Sequence, residues 1–282
     1  MKYDGARLDR NYNNRDLVPE YPQHLRQWAA RSADAMRGGS RNLDVRYGGG
    51  PHEHLDIFRT EGERAPVLVF IHGGYWRALD KKDHSFVAPP FTQQGICVVV
   101  PNYALCPAVT VPDIVMQMVR AVAWTWKHIE QYGGDRNRIV VAGHSAGGHL
   151  AAMMAGCLWN LHDKALPPDV VKGALSISGL HDLEPIMHTP FLQPTLHLTA
   201  EQVRKASPAR FKAPDVAKLY SVSGALESEE FHRQTELIRD AWGAQRVPVC
   251  ELIPGRNHFS VLEALTEPGN RLHQLALELV QG

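Results

Sequence analysis

The 282-residue chain has little cysteine, no excess charge of either sign and no long apolar run. Each shortage excludes a class of protein. The four cysteines, Cys97, Cys106, Cys157 and Cys250, are scattered with no C-x-x-C pair, which argues against a disulfide scaffold and for reduced, mostly buried thiols in the cytoplasm. Thirty basic residues against thirty acidic ones leave a formal charge of zero, so neither nucleic acid nor an anionic membrane is expected as a partner. No stretch approaches the ~18 apolar residues of a membrane span, and the polar opening MKYDGARLDRNYNNRDLVPE lacks the apolar core of a signal peptide. No H-E-x-x-H motif or Cys/His cluster occurs, so no metal and no cofactor is expected. His52 and His54 flank a glutamate in a presumed turn and read as solvent-exposed. Internal repeats, low-complexity tracts and convincing linkers are also missing, which points to one domain.

What is present is an alternation of two periods. Residues 21–36 carry Leu25, Trp28, Ala29, Ser32, Ala33 and Met36 at helical spacing, and Gly38-Gly39 ends the run. Residues 43–47 and 55–58 alternate apolar and polar side chains around GGGP, the pattern of a hairpin entering a sheet. From there continuous apolar runs at 66–71, 96–100, 139–141, 171–177, 219–222 and 247–253 read as strands buried on both faces. Helices are expected between them at 82–94, 111–132, 146–155 and 229–242, and a last one at 270–280. Such alternation implies an α/β fold, a mostly parallel sheet with helices on both faces. Residues 1–40 and the Pro-, His- and Leu-rich insertion 181–214 are expected to form a small cap near the functional site.

The densest chemical signal is RIVVAGHSAGGHLAAMMAGCLW, residues 138–159. A β-branched run, a tight G-x-S-x-G turn and a small-residue helix form the context of a nucleophile elbow, with Ser145 at its tip. The flanking glycines leave room for strand and helix to pass, and the Ala146 N–H points at the same spot from the helix start. A serine nucleophile needs a base and an orienting acid, and after an elbow of this kind the chain order is nucleophile, acid, histidine. His258 is the favoured base because its PGRNHF loop directly follows the run ending in Leu252-Ile253. Glu227, just past the strand 219–222, is the favoured acid; Asp182, after the strand ending at Ile177, is its rival. Glu229 and Glu230 suit the start of the next helix. His72-Gly73-Gly74 follows PVLVFI and offers backbone N–H groups of Gly73 and Gly74 to a developing oxyanion, together with Ala146. Tyr75 and Trp76 read equally well as an aromatic wall for substrate and as core packing.

HGGYW after a strand, GHSAGGH at the elbow, GALESEEFHRQ after a later strand and NHF near the end resemble the kynurenine formamidase (arylformamidase) branch of the α/β-hydrolase superfamily. SGLHDLEPI and NYALCP add to the likeness, which spans the chain from about residue 12 onward. The resemblance implies Ser145, Glu227 and His258 as a catalytic triad, with the HGG glycines as the oxyanion hole. Glutamate stands here where some members have aspartate. The broader resemblance is to hormone-sensitive-lipase-like esterases, whose motif is HGGG; Tyr75 in place of the third glycine draws the chain toward the formamidase branch.

The expected activity is therefore acyl transfer through serine, on small esters or aryl formamides. A general short-chain carboxylesterase is the alternative, and a non-catalytic binding protein on the same scaffold is a third reading that the intact NHF disfavours. A lipase or peptidase is disfavoured by the lack of a long apolar lid or an added propeller-like domain. Oligomeric state is left open, a homodimer included.

Overall fold

The computed structural model describes residues 3–282. Eight strands form one sheet: β1 (Arg41–Arg46), β2 (His54–Phe58), β3 (Ala65–Ile71), β4 (Cys97–Pro101), β5 (Gly134–His144), β6 (Val171–Ile177), β7 (Lys218–Gly224) and β8 (Val249–Ile253). Their spatial order is β1-β2-β4-β3-β5-β6-β7-β8. The hairpin β1–β2 joins β4 antiparallel, and every pairing from β4 onward is parallel. This is the mostly parallel sheet that the alternating pattern implied, in the α/β-hydrolase architecture that the resemblance implied.

The two-residue period of the strands distributes their side chains between two cores. Val67, Val69, Ile71, Ile139 and Val141 face one layer, whereas Leu68, Phe70, Val140 and Ala142 face the other. Helices α1 (Gly5–Tyr12), α2 (Asn14–Leu17), α3 (Tyr21–Ala35), α4 (Ala88–Thr92), α5 (Val111–His128) and α6 (Ala146–Ala155) come before β6. Ile114, Met118 and Val122 of α5 and Leu150, Ala151 and Met154 of α6 cover the first layer. Phe91 of α4 and Leu272, Leu275 and Ala276 of the final helix (Arg271–Gln281) cover the second. Thr110 and Asp113 form a reciprocal capping box that starts α5.

Two helical expectations break in the structure for local reasons. The stretch expected as one helix over 82–94 is a 3₁₀ segment, Lys81–Val87, followed by the short α4, whose first turn holds Pro89 and Pro90. Proline suits a first turn and cannot continue a helix from behind, so the element restarts there. The helix expected to 132 ends at His128 and tightens to 3₁₀ before Gly133, whose φ of 86° terminates it. Of the two histidines expected to be exposed, His52 lies exposed in a turn, whereas His54 is the first residue of β2 and half-buried, next to Glu53, which is buried and paired with Arg120.

The N-terminal helices and the 181–214 insertion meet each other beyond the carboxyl ends of the strands. Asp9 Oδ1 accepts from the Phe191 N–H at 3.0 Å, and Gly5 lies against Pro190. Tyr12 is fully buried; its hydroxyl donates to Glu230 Oε2 at 2.8 Å on the helix Glu229–Trp242, and Ser228 Oγ donates to Asn11 O at 2.6 Å. Residues 1 and 2 of the expected cap lie outside the described residues.

Candidate active site

Parallel strands bring their carboxyl ends to one edge of the sheet, where the crevice of an open α/β fold collects its functional loops. β3 delivers His72-Gly73-Gly74 there, β5 delivers Ser145, β6 Ser178, β7 Glu227 and β8 His258. These five strands are consecutive neighbours in the sheet, so residues separated by more than 100 positions come together without any long-range loop.

Ser145 stands between β5 and α6 with φ 58° and ψ −118°. A non-glycine residue at such a φ is strained, and here the close packing on either side imposes it. A Cβ on Gly147 would lie 2.0 Å from Ile71 O, and one on Gly143 would lie 2.2 Å from Gly147 O. Only bare backbone lets α6 pass this close to β3 and β5. Ala146 opens α6, so its N–H belongs to the first turn, where donors lack intrahelical acceptors.

The His72-Gly73-Gly74 loop approaches the serine as closely. A Cβ on Gly73 would sit 3.2 Å from Ser145 Cβ, and Gly74, with φ 102°, has Ala78 O 2.1 Å from the place a Cβ would take. Tyr103 holds the loop from behind: its hydroxyl donates to His72 O at 2.9 Å and its ring stacks on His72 at 4.1 Å.

His258 Nδ1 lies 2.6 Å from Glu227 Oε2, and both side chains are almost wholly removed from water. The other oxygen, Oε1, accepts from Ser178 Oγ and from the Gly224 N–H, each at 2.6 Å. Asp182, the alternative acid, faces elsewhere: it pairs with Arg210 at 2.9 Å. His144 buttresses the same loop, its Nε2–H donating to His258 O at 2.8 Å while its ring lies 4.7 Å from that of His258. Burial and the neighbouring His258 hold His144 well below the usual histidine pKa, so it is a neutral donor.

Ser145, His258 and Gly74 line one cavity of about 610 Å³. Tyr75 lines it too, its hydroxyl donating to Tyr12 O at 2.6 Å. Trp76 does not line it. The chain turns at positive φ through Tyr75 and Trp76, which sends the indole into the core, fully buried and edge-on to His149 at 5.0 Å. Of the two aromatics expected beside the oxyanion loop, one faces the cavity and the other is packing.

The remaining walls come from residues to which the sequence pattern gave no role in the site. Asn14, Arg15, Tyr21 and Trp28 arrive from the N-terminal segment, Arg77 from the loop after β3, and Phe191 from the insertion. Arg77 donates to Phe191 O at 2.8 Å and lies over the Phe191 ring at 5.3 Å. Burial, followed by the positive charge of nearby Arg15, pushes the Arg77 pKa down. Two guanidinium groups thus share the cavity with a single lining carboxylate, Asp16. Among the described residues no group of three or more His, Cys, Asp or Glu side chains could hold a metal ion, and no helix is long and apolar enough to cross a membrane. The four cysteines are free, Cys97 and Cys106 buried and the other two half-buried.

Comparison with known proteins agrees with this architecture. A BD-FAE family profile matches residues 55–188. Kynurenine formamidase of Danio rerio is 30% identical over 288 residues, covering 99% of this chain and 94% of that protein. Esterase LipQ of Mycobacterium tuberculosis is 33% identical over 214 residues, 70% of this chain and 47% of that one. Among solved structures, a protein of silicibacter sp. tm1040 with a provisional thioesterase designation superposes with a TM-score of 0.84 at 30% identity, covering 98% of this chain and 99% of that one. A Pyrobaculum calidifontis esterase shares the fold at a TM-score of 0.73 and 19% identity, over 94% and 92% of the two chains.

Proposed function

The chain belongs to the α/β-hydrolase superfamily, among its esterase- and kynurenine-formamidase-like members, and from that premise we propose that it is a serine hydrolase of small acyl substrates. The observation that carries this reading is the convergence of Ser145, His258 and Glu227 from three strand ends, the first two on one cavity and the last two joined at 2.6 Å.

In the proposed reaction His258 removes the Ser145 proton as Oγ attacks the substrate carbonyl. The carbonyl oxygen, now negative, settles among the N–H groups of Gly73, Gly74 and Ala146. The Glu227 carboxylate beside Nδ1 stabilises the imidazolium without taking its proton. His258 then protonates the departing alcohol or amine, and a water activated by the same histidine resolves the acyl-enzyme.

The general form of this activity is ester hydrolysis, which the esterase relatives support. A finer reading, hydrolysis of aryl formamides, is supported by the formamidase relatives and by the walls of the cavity. Tyr21, Tyr75, Phe191 and Phe259 offer aromatic faces to an aryl leaving group. Arg15 and Arg77 favour a substrate that carries negative charge away from the scissile bond. The test compares kcat/KM for N-formylkynurenine, formanilide and p-nitrophenyl acetate. The formamidase reading expects N-formylkynurenine to exceed uncharged formanilide by at least ~10-fold, and Arg77→Gln to narrow that gap. Equal values for both formamides, below that for the acetate ester, leave the general carboxylesterase.

A further inference from the structure

We propose that Ser178 is a positioning residue of this reaction: its hydroxyl fixes the outer oxygen of the Glu227 carboxylate so that the inner oxygen stays on His258. The inference rests on the reading of Glu227 as the acid that orients the base.

Ser178 follows the last residue of β6 and is fully buried. Its N–H donates to Val222 O at 2.7 Å, which ties the end of β6 to β7 just before the loop that carries Glu227. Its backbone is left-handed, with φ 51°. Such a conformation costs a serine energy that it would not cost glycine, and glycine would lack only the hydroxyl and its carbon. That hydroxyl is in use. It donates to Glu227 Oε1 at 2.6 Å, where the Gly224 N–H also arrives at 2.6 Å. Oε2 is left for His258 Nδ1.

The Glu227 side chain has no surface in water, so its charge depends on these three donors. The Gly224 N–H is fixed by the strand, and His258 is the group to be oriented. Ser178 is thus the side chain that opposes rotation of the carboxylate away from the imidazole. It also draws charge toward Oε1. With the hydroxyl gone, more of the negative charge falls on Oε2, the imidazolium is favoured, and the base stays protonated to a higher pH. Ser178 does not line the cavity, so ground-state binding of substrate does not depend on it.

The experiment measures kcat, KM and the pH profile of kcat/KM with p-nitrophenyl acetate for Ser178→Ala, Ser178→Gly, Glu227→Gln and the double variant Ser178→Ala/Glu227→Gln. Ser178→Gly relieves the left-handed backbone, so an effect shared by the Ala and Gly variants belongs to the hydroxyl and not to folding. The expected result is a fall in kcat of roughly tenfold in both, KM within about twofold of the parent, and an acid limb moved to higher pH. The double variant should be no slower than Glu227→Gln alone, because Ser178 acts only through that carboxylate. Parental kcat and an unmoved acid limb in Ser178→Gly would overturn the inference, as would multiplicative losses in the double variant. A Glu227→Gln enzyme with parental rates would instead remove the reading of Glu227 itself, and this inference with it.

Discussion

Glu227 Oε2 and His258 Nδ1 stand 2.6 Å apart with 0% and 6% of their side chains exposed. Taking a carboxylate and an imidazole out of water together is costly, and a well-packed apolar pair would hold the strand ends at least as well. The pairing makes sense as chemistry. In the proposed mechanism a dry carboxylate beside Nδ1 stabilises the imidazolium that forms when His258 accepts a proton, and it fixes the tautomer that leaves Nε2 free to accept it.

Glu227→Gln should lower kcat by about 10³–10⁴-fold while the fold is retained, because the amide can both misorient the ring and stabilise the wrong tautomer. Asp182→Asn should cost less than about threefold, since its carboxylate serves Arg210 at the surface of the insertion. Steady-state kinetics on the two purified variants decide this, and the reverse ranking would transfer the acid to Asp182.

Gly74→Ala should remove activity out of proportion to its size. At φ 102°, with Ala78 O 2.1 Å from the new carbon, the loop has to shift, and the Gly73 and Gly74 N–H groups shift with it. Loss of one oxyanion donor is worth about 10²–10³ in kcat. A variant with parental kcat would show that this loop does not contact the reacting oxygen.

Stability should fall as the medium is acidified from pH 7 to pH 5. Five histidines, 72, 84, 144, 149 and 181, are buried and held neutral mainly by desolvation. Their pKa values drop from 6.5 to about 4 for His72 and His181 and about 3 for His84 and His149, with His144 also well below 6.5. Between those values and 6.5 the unfolded chain binds more protons than the folded one, so acid favours unfolding. The stabilisation is fully present above pH 6.5 and is lost as pH falls, with roughly one proton taken up per histidine on unfolding at pH 5. Tm measured at half-unit steps checks this; a flat Tm between pH 7 and pH 5 would contradict it.

Lys81→Met should destabilise the protein by about 3–5 kcal/mol in urea unfolding. Lys81 is wholly buried, its Nζ 2.6 Å from the equally buried Asp56 and 3.0 Å from Asp44, and its removal strands the Asp56 charge. The double change Lys81→Met/Asp56→Leu should recover part of the loss. A single variant as stable as the parent would mean that water reaches Asp56.

The elements that could be read from sequence are those whose causes are local. The elbow around Ser145 is written in glycines whose missing side chains make room within one turn, and His258 follows its strand within a few residues. The acid could be narrowed to Glu227 or Asp182 because both follow strands; what separates them is the partner each meets, His258 or Arg210, and no local pattern encodes that. Trp76 was ambiguous for the same reason. Its direction is set by a run of positive φ angles through Tyr75 and Trp76, a conformation that neither residue signals. Ser178 looks like any serine after a strand until β6 and β7 are placed side by side. Asn14 and Arg15 lie in the segment expected to cap the site, but its polar composition does not say which of its side chains enter the cavity; buried Tyr12, hydrogen-bonded to Glu230, carries these two there.

The central claim is that Ser145 is the nucleophile, and active-site labelling followed by peptide mass spectrometry tests it most directly. A fluorophosphonate should modify the parent once, on the peptide that carries Ser145, and end its esterase activity. Ser145→Ala should take up no label and retain at most ~10⁻³ of the parental rate while keeping its fold. An unlabelled parent, a label on another serine, or a Ser145→Ala variant with near-parental activity would contradict the account.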